Sequence, residues 1–62
     1  MSVRDLLKRL SEDGWVQVRM RGSHRQLKHP SKQGLVTVSG HDRDDIHPKT
    51  LKSVFRQAGL GD

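Results

Sequence analysis

Trp15-Val16-Gln17-Val18-Arg19-Met20-Arg21, followed by Gly22-Ser23-His24-Arg25-Gln26-Leu27-Lys28-His29, is the stretch on which the fold turns. In the first run Val16, Val18 and Met20 fall on one side and Trp15, Gln17, Arg19 and Arg21 on the other, the two-residue period of a strand. The first set is expected to face the core and the second to face water, with Trp15 at its edge. Gly22 stops the run. A second strand is expected over Ser23–His29, with Ser23, Arg25, Leu27 and His29 against His24, Gln26 and Lys28. Counting leaves the face of His24 open, because the turn around Gly22 sets the register.

Reading outward, Pro30-Ser31-Lys32-Gln33-Gly34 is a turn signal, and Leu35-Val36-Thr37-Val38-Ser39 is a third strand. The connections are too short for a parallel crossover, so the three strands form an antiparallel meander. Upstream, Ser2 and Asp5 have the spacing of a capping box. Val3, Leu6, Leu7 and Leu10 then mark one apolar stripe, and Gly14 ends a helix over residues 3–13. Downstream, His47 as cap puts Pro48 at the first helical position and makes Ile46 and Leu51 a hydrophobic staple. Leu51, Val54, Phe55 and Ala58 form its stripe, with Gly59 left-handed and Leu60 folding back on Phe55. The order α-β-β-β-α makes residues 1–62 a single α+β domain. Its three-stranded antiparallel sheet carries both helices on one face and leaves the other to solvent or a partner.

Size and charge bound the function. A chain of 62 residues buries only roughly 60% of its unfolded surface. It has no cysteine, hence no disulfide and no thiolate chemistry. No apolar run spans a membrane or forms a secretory signal, so a soluble, cytoplasmic protein is expected. Twelve Lys and Arg oppose seven Asp and Glu, a net charge of +5. Gly14 to His41 contains no acid, yet holds Arg19, Arg21, Arg25, Lys28 and Lys32. Such a one-signed segment draws a polyanion. Solubility and docking to an acidic protein are the alternatives. Trp15 and Phe55 are the only aromatics, so a base-stacking platform is not expected. Contacts to phosphates and 2′-hydroxyls suit this composition better.

His24 is the candidate for chemistry. An imidazole exchanges protons near neutral pH, and Gly22-Ser23 would let a bound backbone come close. Metal-free RNA cleavage needs a base for the ribose 2′-proton and cations for the charge on phosphorus. His24 with Arg19, Arg21, Arg25 or Lys28 meets that description; the competing reading is an ordinary surface histidine in a hairpin. His41 is a candidate auxiliary acid if the fold brings it near His24, or else a turn cap beside Asp42. His29 reads as turn packing and His47 as a helix start. His41, Asp42, Asp44, Asp45 and His47 cluster in sequence but lack a zinc-helix spacing. Capping and helix-dipole interactions select the same acids, so no metal and no cofactor is expected.

Gly14-Trp15, Arg19, Gly22-Ser23-His24, His29-Pro30, Val36-Thr37-Val38 with His41, Thr50-Leu51 and Gln57-Ala58-Gly59-Leu60 together resemble the HicA-type toxins, over nearly the whole chain. The pattern departs from that family at Lys49, where glycine is common, and at Ser39-Gly40, where many members carry proline. The resemblance implies a fold like a double-stranded-RNA-binding domain and a metal-independent mRNA endonuclease with His24 catalytic. Gly22, Ser23, Arg19, Arg21, Arg25 and Lys28 are the expected RNA contacts. It further implies a HicB-type antitoxin that covers the active site, and arrest of translation and growth when the toxin is free.

Overall fold

Ser2 and Gly14 bracket the first helix, α1 (Val3–Asp13), in the computed structural model, which describes residues 1–60. Three of the amide groups that a helix start leaves without intrahelical partners are met, those of Val3, Arg4 and Asp5. Asp5 N–H donates to Ser2 Oγ at 3.1 Å. Val3 N–H donates to the Asp44 carbonyl and Arg4 N–H to that of Asp42, while Leu6 N–H makes the first intrahelical bond, to the Ser2 carbonyl. Ser2 also pairs as an isolated antiparallel bridge with Asp45. The acid-rich segment after the third strand is therefore a backbone cap for α1. Its side chains serve the same loop, since Asp44 Oδ2 accepts the His41 N–H at 3.0 Å.

Gly14 closes α1 in the left-handed region, with φ +109°, and a Cβ there would sit 2.8 Å from His29 Nε2. That ring is fixed in place. Its Nδ1 accepts N–H groups of Ser31 and Lys32, so Nε2 carries the proton and donates to the Asp13 carbonyl at 2.7 Å. Trp15 meets it edge to face, with ring centroids 5.3 Å apart. His29 is turn packing, as its place before Pro30 implied.

The sheet comprises β1 (Val16–Arg21), β2 (His24–Lys28) and β3 (Val36–Ser39), antiparallel throughout and in the order β1-β2-β3. Gly22 (φ +59°) and Ser23 are the two residues of the first hairpin, because Arg21 pairs directly with His24. Positive φ at the first central residue alone is the II′ geometry that a glycine there favours. The last helix, α2 (Pro48–Gln57), starts at Pro48 with His47 Nδ1 accepting the Lys49 N–H at 3.2 Å. It ends as a Schellman turn: Leu60 N–H reaches the Phe55 carbonyl at 2.9 Å and Gly59 N–H that of Arg56 at 3.2 Å. The architecture is the expected α-β-β-β-α with a three-stranded antiparallel sheet. Neither helix is long and apolar enough to cross a membrane.

The core is Val3, Leu6 and Leu10 of α1, Trp15, Leu27 of β2, Val36 and Val38 of β3, and Val54 and Ala58 of α2. Leu7, Ile46, Leu51, Phe55 and Leu60 rim it, half-buried. One expectation is overturned. Val16, Val18 and Met20 do not face the core but are 59%, 54% and 53% exposed, while Trp15, expected at the wet edge, is 2% exposed. Two causes combine. Both helices pack against β3, and neither makes comparable contact with β1. A bulge between Gln17 and Arg19 then breaks the alternation, so residues before and after it fall out of phase. Trp15 precedes the strand and folds under the end of α1; its indole N–H finds no hydrogen-bond partner among the described residues.

Candidate functional site

The II′ turn resolves the register that counting left open. With Arg21 opposite His24, Arg19 opposite Gln26, His24 opposite Ser39 and Gln26 opposite Thr37, all six side chains share one face, because partners across an antiparallel ladder point the same way. Leu27 and Val36, paired one step along, take the opposite face into the core. The helices cover that inner face and leave the outer one bare.

On the bare face Arg19, Arg21, His24, Gln26, Thr37 and Ser39 line an open pocket of about 210 Å³. It contains two guanidinium groups, an exposed imidazole, an amide and two hydroxyls, and no carboxylate. Phosphate oxygens would meet hydrogen-bond donors and positive charge here, and no carboxylate to repel them. The imidazole belongs to the residue that leaves the turn. A Cβ placed on Gly22 meets nothing within 4 Å, so an approaching chain finds open space beside it. Gln26, Thr37 and Ser39 were not among the residues read as functional. The signal that finds them is the two-residue turn: once it is fixed, period two carries His24 to Gln26, and pairing carries both to β3.

The other expected site residues separate. Lys28 points to the same outer face, opposite Val16, but roughly 13 Å along the strand from His24. Ser23 contributes its carbonyl to the Gly40 N–H, tying the first hairpin to the end of β3. Arg25 does not join the pocket. It lies on the helix-side face, where its guanidinium donates to the Gly40 carbonyl at 3.2 Å and to Asp42 Oδ1 at 2.9 Å. Its side chain is 13% exposed. Arg25 is thus a strut between β2 and the loop that caps α1. His41 stands two residues beyond Ser39 on that loop and does not line the pocket; its N–H is held by Asp44 Oδ2.

A second cluster sits at the far end of α1. Lys32 Nζ donates to Asp13 Oδ2 at 2.6 Å and to the Ala58 carbonyl at 3.0 Å. The Lys32 hydrogen bond holds the Asp13 carboxyl below its ordinary value; partial desolvation opposes this, while the charges of Lys32 and Arg9 reinforce it. This clamp joins α1, the turn after β2 and the end of α2, and plays no part in the outer face.

No curated protein sequence matches the chain. The family model for the HicA toxin of bacterial toxin–antitoxin systems does, over residues 3–60. That span takes in both helices, the whole sheet and the His24 face, and the chain belongs to the HicA toxin family.

Proposed function

We propose that this toxin is an endoribonuclease that cleaves mRNA in the cytoplasm, with His24 as its general base and no metal in the reaction. Membership of a toxin–antitoxin family supplies the toxin role and an antitoxin partner. The observation that carries the chemistry is the placing of His24 on one acid-free face with Arg19 and Arg21. The imidazole takes the proton of a ribose 2′-hydroxyl, and that oxygen attacks the adjacent phosphorus. The bond from phosphorus to the 5′-oxygen breaks, and the departing oxygen takes a proton from water. The products are a 2′,3′-cyclic phosphate and a 5′-hydroxyl. Arg19 and Arg21 stabilise the charge that builds on the phosphoryl oxygens. Gly22 and Ser23 admit the RNA backbone, Lys28 extends the positive track, and Gln26, Thr37 and Ser39 provide neutral hydrogen bonds. A HicB-type antitoxin silences the enzyme by covering this face.

Purified protein with a mixed-sequence RNA and EDTA tests the proposal. His24→Ala should lower the cleavage rate by ~10²–10⁴-fold, and a 2′-deoxyribose at the cut site should block it. Cleavage that needs a divalent cation, or that survives loss of the imidazole, removes the mechanism.

A second reading is a binder of structured RNA without catalysis. The open polar sheet face, with no Phe, Trp or Tyr in it, suits contacts to phosphates and 2′-hydroxyls. Under it, His24→Ala leaves both RNA affinity and the effect on growth unchanged.

A further inference from the structure

We infer that the open edge of β1 docks an extended, acidic segment of a protein partner, which pairs with it as a fourth strand of the sheet. β1 is an outer strand of the sheet. Among the described residues its backbone makes no hydrogen bond beyond the ladder to β2. Val16, Val18 and Met20 lie along it, each more than half exposed, in a chain only 31% hydrophobic. An uncovered edge with exposed apolar side chains, Val16 on the outer face and Met20 on the helix side, invites another strand, and natural proteins normally blunt or cover such edges. Neither helix does so here.

Charge decides which strand fits. A second copy would bring the same arginines. Antiparallel self-pairing centred on residue 19, 20 or 21 sets Arg19 or Arg21 against an arginine of the other copy, and like charges directly opposite are destabilising. Both copies would also carry +5. A strand that alternates acidic and apolar residues has the reverse fit. Past the bulge, Arg19 and Arg21 share the outer face with His24, while Met20, opposite Arg25, points to the helix side. Acids of the incoming strand would pair with the two arginines, and its apolar residues would cover Met20 and the uncovered flank. Main-chain hydrogen bonds would provide the affinity and these side chains the selectivity. The antitoxin implied by family membership is the natural source of such a segment. Docked this way, it would bring carboxylates to the rim of the His24 pocket, so that holding the toxin and neutralising its cations become one event. The inference rests on the existence of a protein partner and not on the chemistry of His24.

The test uses the full chain and a blocked synthetic peptide alternating Glu and Val, followed by amide NMR shifts and hydrogen exchange. The expected result is a response confined to residues 16–21, with new protection of edge amides. Binding should weaken at least about tenfold when alternate peptide nitrogens are methylated on the edge that pairs, or when Lys replaces Glu. Met20→Lys in the toxin should weaken it likewise, and exposure of that side chain leaves the fold intact to report it. Equal binding by the methylated peptide, a response on the helices, absence of binding, or a toxin dimer formed through β1 would each overturn the inference. So would an RNA oligonucleotide that protects these edge amides where the peptide does not. His24→Ala should bind the peptide as the wild type does. Peptide binding without RNA cleavage would leave this inference standing and remove the nuclease; cleavage without peptide binding would do the opposite.

Discussion

Val16-Gln17-Val18 on β1 and Val36-Thr37-Val38 on β3 are nearly the same sentence written twice, at the two outer strands of one sheet, yet their fates are opposite. Val36 and Val38 are 0% and 2% exposed, while Val16 and Val18 are 59% and 54% exposed. Alternation makes both segments strands; it does not say what covers them. Coverage comes from connectivity. The loop that leaves β3 hands the N-terminus of α1 its hydrogen-bond partners and then runs straight into α2, so both helices are anchored at the β3 side. The molecule thereby keeps its packing on the inner face of the sheet, centred on β3, and its open, cationic chemistry on the outer face. A chain with so little apolar material separates the two tasks instead of overlaying them.

The sharpest way to break this comparison after loss of His24 is a core truncation. Leu6→Ala removes a fully buried side chain and should cost ~2–5 kcal/mol in a urea melt, close to the whole stability of so small a domain. Met20→Ala on the uncovered strand should stay within about 0.5 kcal/mol. Equal losses at the two sites would mean that β1 is packed in solution. Next in size is Gly14→Ala. It forces a side chain into left-handed backbone and against the His29 ring, with an expected loss of roughly 1–3 kcal/mol; a thermal midpoint unchanged from wild type would contradict the close approach. The arginines sharpen the contrast further. Arg25→Gln takes the strut from Gly40 and Asp42 and should cost about 1–2 kcal/mol. Arg21→Gln should leave stability unaltered and instead lower the salt dependence of RNA binding by about one unit of slope. An exchange of these two outcomes would put Arg25 back among the RNA contacts.

What could be read in advance follows how far apart the determinants lie. The helix stripes, the Ser2 and His47 caps and the Schellman ending at Leu60 are set by residues within a few positions of one another, and each stands where spacing placed it; the turn at Gly22 is also local, though it takes in Ser23, which was expected to begin the second strand. The two-residue turn also made the His24 face recoverable, with Gln26 following from it. Misreadings fall where the deciding partner is remote. Arg25 looked like one more cation in a basic run, because its acid, Asp42, is 17 positions away. Val16, Val18 and Met20 looked like core, because neither the bulge at Gln17/Arg19 nor the seating of the helices on β3 has a local signature. Trp15 lay one residue outside the strand that was expected to contain it.

The smallest effect probes the clamp at the far end of α1. Asp13 titrates below the ordinary carboxylate range when folded, chiefly through its hydrogen bond from Lys32. In the unfolded chain it returns to about 3.9. Between the two values the unfolded state binds the extra proton, so acid favours unfolding there. The stabilisation is complete above the unfolded value, declines as pH falls through about 4, and is gone below the folded value. Asp13→Asn keeps the side chain's shape but cannot titrate. In urea melts the wild type should therefore exceed Asp13→Asn modestly at pH 6, with the gap narrowing as the pH falls below about 4. A gap that stays constant or widens on acidification would mean that the Lys32 contact contributes through packing and not through charge. The clamp would then be the same kind of structure as the valine core beside it, instead of an electrostatic tie that joins the ends of both helices.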